Sequence, residues 1–187
     1  VQERIEAMCG LIDTTIGNSP QITVVAEKDN ELFPNDSKMI QRIEGADDRI
    51  EPASLVLDQP AFLDADASQS VVVRGFDLTR AEGIYQLSDY VTEGQMPTED
   101  NEFLIGSILQ EKNGLALGDS ITLITPDRRT VTGTISGFFD LKVAAINGSW
   151  CVTNLDTALA GPAGPRHRDL GLLLVGAVYL MKAKGRT

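Results

Sequence analysis

The sequence predicts an α+β protein in which helices pack on a sheet and a strand-rich segment makes up much of the second half. Three observations predict it. Apolar residues recur at three- and four-residue spacing in two early stretches, β-branched runs follow each of them, and from about residue 97 closely spaced strands joined by tight turns take over.

Ile5, Met8, Cys9, Ile12 and Ile16 lie on one face of a predicted helix. Gly17-Asn18-Ser19-Pro20 stops it, because Gly and Asn tolerate left-handed dihedrals and Pro cannot continue a helix. Ile22 to Ala26 is a β-branched run and reads as a buried strand. Asp36 or Ser37 caps a short helix carrying Met39, Ile40 and Ile43, closed by Gly45. Leu55-Val56-Leu57 and Val71-Val72-Val73 are further strands, the second running through Arg74 into Gly75-Phe76-Asp77.

In the second half, Glu102 to Ile105 reads as a strand and Ser107 to Lys112 as a helix stopped by Asn113-Gly114. Ile121 to Thr125 and Thr130 to Phe139 form a hairpin across Pro126-Asp127-Arg128-Arg129. Val143 to Ile146 and Trp150 to Thr153 add two strands separated by Asn147-Gly148-Ser149. Trp150 is expected to pack in the core of this segment or at its seam with the rest.

The chain has 187 residues, 42% hydrophobic and 23% charged, which fits one domain, or one domain with a sizeable insertion. Its net charge of −11 argues against nucleic acid, which selects for clustered Lys and Arg. Five Lys/Arg and one Asp from Arg166 onward leave −15 on residues 1–165. An acidic body keeps a domain soluble and repels anionic head groups. Cys9 and Cys151 are too few for a disulfide scaffold and read as two separate buried thiols. The most apolar window, Leu170 to Met181, has twelve residues, short of the roughly 20 a membrane-spanning helix needs. No signal peptide is visible at Val1-Gln2-Glu3-Arg4.

Motifs for chemistry are sparse. The hydrolase elbow is missing, and Gly114-Leu115-Ala116-Leu117-Gly118 is followed by Asp119, where a phosphate loop needs Lys and a hydroxyl. The single histidine, His167, lies in a Pro/Gly/Arg-rich stretch and reads as a solvated loop residue. Asp64-Ala65-Asp66-Ala67-Ser68 starts like a calcium loop, but Gln69 replaces the turn Gly and Gly75 the bidentate Glu. Asn35-Asp36-Ser37 and Asn147-Gly148-Ser149 match the glycosylation sequon, a pattern too short to carry weight. Asp47-Asp48 and Glu99-Asp100 read as solvated turn carboxylates. No residue is assigned to catalysis, a cofactor or a metal, ligand-binding residues stay unidentified, and the chain is not expected to be an enzyme.

One ordered series is more specific: Gly94-Gln95-Met96-Pro97, Asn101-Glu102-Phe103-Leu104-Ile105-Gly106, Leu109, Lys112, Gly114-Leu115 and Gly118-Asp119-Ser120-Ile121-Thr122-Leu123. It continues through Gly137-Phe138-Phe139-Asp140, Trp150 and Asn154-Leu155-Asp156-Thr157-Ala158. Together these resemble the MacB-like periplasmic core domain of FtsX/LolC-type ABC-transporter permeases, over roughly residues 1–158. The resemblance implies a membrane-proximal α+β subdomain, residues 1–96 plus 154–187, carrying an inserted β-rich subdomain, residues 97–153. It places the domain outside the cytoplasm at the inner membrane, between the first two membrane helices, with residues 1–16 continuing the first. It further implies a lever and docking surface coupled to a cytoplasmic ATP-binding subunit, a permease homo- or heterodimer, and a periplasmic adaptor or carrier protein as partner. No cofactor is implied. A free-standing periplasmic or secreted module binding a peptide or lipid is the alternative, and an unrecognised hydrolase a third.

Two features depart from the resemblance. The turn at Pro126 to Arg129 is short where the lipoprotein-releasing branch carries a projecting loop, which weakens the case for a lipoprotein carrier. Residues 161–187 also diverge, as a divergent closing strand, a shifted reading frame or a segment foreign to the natural chain.

Overall fold

The computed structural model describes residues 22–24, 37–46, 50–65, 68–126, 128–160 and 177–183. The helix expected over residues 5–16, Cys9, Asn35, Asp47-Asp48 and His167 lie outside them. Within the described residues the protein is mixed and mostly sheet, in keeping with the α+β expectation.

The strands are β1 (Ile22–Val24), β2 (Ile50–Leu63), β3 (Gln69–Phe76), β4 (Val91–Gly94), β5 (Glu102–Gly106), β6 (Ser120–Ile124), β7 (Thr130–Phe139), β8 (Trp150–Asn154) and β9 (Ala177–Ala183). The helices are α1 (Ser37–Glu44), α2 (Leu78–Tyr85), α3 (Ser107–Asn113), α4 (Ala144–Asn147) and α5 (Leu155–Ala160), with a 3-10 turn at Leu87–Tyr90. One sheet runs in the order β1-β9-β2-β3-β8-β5-β7-β4, and β6 pairs with both β7 and β2. That second pairing, Phe62 opposite Ile124 and Leu63 opposite Leu123, closes β2, β3, β8, β5, β7 and β6 into a ring.

The ring is a small barrel filled by side chains. Ala61, Leu63, Val71, Val73, Phe103, Ile105, Ile121, Leu123, Val131, Ile135, Phe138 and Cys151 form one buried cluster, alternating along their strands with outward residues. A second cluster lies on the outer wall. Val56, Phe76, Leu104, Phe139 and Val152 are covered there by Ala81, Ile84 and Tyr85 of α2 and by Leu87. β5 is thus buried on both faces, which explains its unbroken Phe103-Leu104-Ile105 run. α5 closes one end of the barrel: Gln59 Nε2 donates to the Ala158 carbonyl at 3.2 Å. A Cβ at Gly75 would collide with the Ala158 methyl, so the helix seats only on a residue without one.

β2 is the long beam of the molecule. Its first half pairs with β9 as far as Leu57, and its second half pairs with β3 and then β6. Pro60 sits within it without breaking it. Val72, opposite Pro60, sends its N–H to the Ser149 carbonyl on the β8 side. Pro60 therefore faces away from β3, into the interval between Ala177, the first residue of β9, and Ile124, the last of β6, where no N–H is needed.

Several sequence expectations shift. Val143 to Ile146 is not a strand, because Ala144–Asn147 forms a helical turn. Alanines favour that turn, and the Asn147 side chain ties it back to the preceding loop. The strand seen as Leu55-Val56-Leu57 runs over 14 residues. α2, the 3-10 turn, β4 and α5 were not anticipated as elements. In the divergent segment, residues 177–183 are a strand pairing with both β2 and β1.

Candidate functional site

The most built polar cluster lies on the outer wall of the barrel beside α2. Asp58 on β2 and Arg74 on β3 are cross-strand partners, and the guanidinium donates from both Nε and Nη2 to the two carboxylate oxygens. The same guanidinium lies 3.8 Å from the centroid of the Trp150 ring, on neighbouring β8. Tyr85 of α2 meets that indole edge-on at 6.2 Å, and its ring packs at a tilt on Phe76 at 5.2 Å. Trp150 is therefore half-buried, at the seam between barrel wall and α2, rather than enclosed in a core.

Each group here is held in an unreactive form. Burial pushes the Tyr85 phenol up to about 12; the Arg74 charge opposes the shift and Asp58 adds to it. Burial alone pushes the Cys151 thiol, inside the barrel, to about 12. Neither is a nucleophile near neutral pH. Both oxygens of Asp58 are occupied by Arg74, so the arrangement holds β2, β3 and β8 together. Along β3, Arg74 alternates with the buried Val73 and so turns outward, while its partners Asp58 and Trp150 lie on other strands and leave no local pattern in the sequence.

The motifs weighed from sequence resolve into local structure. In the 114–119 loop, the Asp119 carboxylate accepts the Ala116 N–H at 2.8 Å and the Gly118 N–H goes to the Ile135 carbonyl. The first bond closes the loop on itself and the second ties it to β7. The Asp64 N–H bonds the Thr122 carbonyl, extending the β2–β6 seam; Asp66 and Ala67 are outside the described residues. The Thr98 N–H and then the Glu99 N–H donate to the Glu102 carboxylate, which holds it below the usual glutamate range. Asp100 accepts from Asn154 Nδ2 at 3.0 Å. Asn147 is 4% exposed, accepts the Leu141 N–H and donates to Asp140, so the folded chain offers no free amide at that sequon. Among the described residues no three His, Cys, Asp or Glu side chains converge on a metal-sized site, and no helix is long and apolar enough to cross a membrane.

No sequence-family model and no curated protein matches the chain. Solved structures do. The periplasmic region of MacB from Actinobacillus actinomycetemcomitans superposes with a TM-score of 0.56 at 12% identity, over 92% of this chain and 79% of that one. The extracellular domain of the noncanonic ABC-type transporter YknZ from Gram-positive bacteria gives 0.55 at 10% identity, over 88% and 84%. At such identities the likeness is one of fold, and the fold of this chain is that of the periplasmic and extracellular domains of these two ABC-type transporters.

Proposed function

We propose that the chain is the extracytoplasmic domain of an ABC-transporter permease at the cell membrane, acting as a lever and docking surface without chemistry of its own. The observation that carries this reading is the fold shared with two transporter domains across about nine-tenths of the chain. The strand directions support it. β1 is antiparallel to β9 and β9 to β2, with Ile22 opposite Met181 and Met181 opposite Ala53. The chain thus arrives at β1 and departs from β9 at the same end of the sheet, on neighbouring strands about 5 Å apart. A domain held between two membrane helices needs that geometry. β2 then runs from this end into the barrel as one 14-residue strand, with an irregular register against β9 only between Ile50 and Ala53, and in this reading it connects the membrane side to the far end. In this reading residues 1–96 and 154–187 are the membrane-proximal part and 97–153 the inserted part, which borrows β2 and β3 to close its barrel. The partners are a cytoplasmic ATP-binding subunit, a second permease subunit and an adaptor or carrier protein.

The test uses the full-length gene product. Hydrophobic segments of about 20 residues should flank this domain in its reading frame. A Gly-Gly insertion after Ile16 should lower transport steeply while expression and basal ATPase activity persist. Unchanged transport would remove the lever. A gene product with no hydrophobic segment would favour a free-standing binding module.

A further inference from the structure

We propose that Glu44 and Arg80 form a releasable clasp that seats α1 on the sheet. The position follows from the β2 ladder. β3 pairs with β2 only as far as Phe76 opposite Val56, because the chain turns into α2 at Asp77. By alternation, Ala53 directs its N–H and carbonyl toward the side β3 has left. Two side chains occupy that place. Glu44 Oε1 accepts the Ala53 N–H at 3.1 Å, and Arg80 Nη1 donates to the Ala53 carbonyl at 3.3 Å. The two are bonded to each other at 2.8 Å. An ion pair thus continues the ladder where the next strand residue is missing, and satisfies a buried residue's backbone.

The two halves of the clasp are unequally held. Arg80 belongs to α2, whose Ala81 and Ile84 are fully buried, and Asp77 lies 3.7 Å from its Nε. Glu44 is the last residue of α1, an eight-residue helix too short to persist alone. A carboxylate at a helix C-terminus opposes the helix dipole, so without Arg80 it disfavours the helix that carries it. Both side chains are about one-third exposed, so water and salt reach the pair. Release of Glu44 therefore frees the β2 edge and removes what offsets the charge at the end of α1. The clasp sits level with Met181 and Ile22, at the end where the chain arrives and departs. Its use as a joint in a transport cycle rests on the permease reading, but its opening does not.

Hydrogen exchange on the 187-residue chain tests it directly. In Arg80→Gln and in the milder Glu44→Gln, exchange should rise about tenfold at Ala53 and across residues 40–44. Leu104, Ile105 and Ile135 in the barrel should keep their native protection. The proposal is overturned if Ala53 and α1 exchange at the native rate in both variants, or if the barrel amides accelerate in step with them. Exchange is read on this chain alone, so a failed transport experiment leaves the clasp standing, and unaltered exchange leaves the permease reading standing.

Discussion

Arg74 occupies the position where an alternating strand turns a side chain outward, yet its side chain is only 17% exposed. The indole of Trp150 covers one face of the guanidinium and Asp58 takes its edge. Replacing Arg74 by Ala leaves a partly buried carboxylate unpaired and one face of the indole open, and should cost about 1–3 kcal/mol. Asp58→Ala should cost less, because the cation keeps its aromatic contact. The double variant should recover part of the sum, with a coupling of about 1 kcal/mol in urea unfolding. Purely additive losses would show that the pair is not a unit. Tryptophan emission should shift to the red in both variants that lack Arg74 and stay unchanged in Asp58→Ala. Because Trp150 is half-buried, its own truncation should fall below the ~3–5 kcal/mol typical of an enclosed ring.

The loop before β5 is set by one carboxylate. Glu102 gathers two backbone N–H groups and the Thr98 hydroxyl, and these bonds hold its pKa below the usual range. Its stabilising contribution is complete above the unfolded pKa and is lost as pH falls through the lower folded one. Glu102→Gln should therefore be less stable than the native chain at neutral pH, with the difference closing in acid below the ordinary glutamate pKa. A gap that persists unchanged into strong acid would mean that packing, not charge, sets the loop. Elements with a strong local signature were legible: β5, α3, the β6–β7 hairpin and β8 follow the Phe103-Leu104-Ile105 run, the Asn113-Gly114 stop and the alternation over Thr130 to Phe139. α2 was not, because Leu78-Thr79-Arg80-Ala81-Glu82-Gly83 carries a glycine and little periodicity. Its capping by the Asp77 side chain and its apolar cover over Phe76 and Leu104 decide it instead. The Val143 to Ile146 run misled because a short apolar stretch has no period of its own. The polar cluster needed three strands brought side by side, which no local pattern encodes.

Ring closure ties the interior of the barrel to a single event. Cys151 lies inside the barrel with no exposed surface, and its thiol stays protonated to about 12. In a chain with Cys9 replaced by Ser, a thiol reagent at pH 8 should reach Cys151 only through global unfolding. Its labelling rate should rise with urea as steeply as equilibrium unfolding does. A shallow dependence would reveal that the barrel opens locally. The same burial predicts falling stability above the ordinary thiol pKa of ~8.5, since the unfolded thiol ionises there and the folded one does not.

The closure of the barrel also orders events during synthesis. Its first two strands, β2 and β3, emerge as a hairpin whose inward residues, Ala61, Leu63, Val71 and Val73, have nothing to bury against. β3 finds its second neighbour only when Trp150 to Asn154 have been made, and β2 finds β6 only after Ile124. Until then a nascent chain carries an apolar hairpin with open edges, the kind of surface that binds chaperones or aggregates. The last barrel strand to be translated lies between the two that were waiting, β3 and β5, so five strands can pair into an open arc but the ring cannot close until the ribosome has passed Asn154.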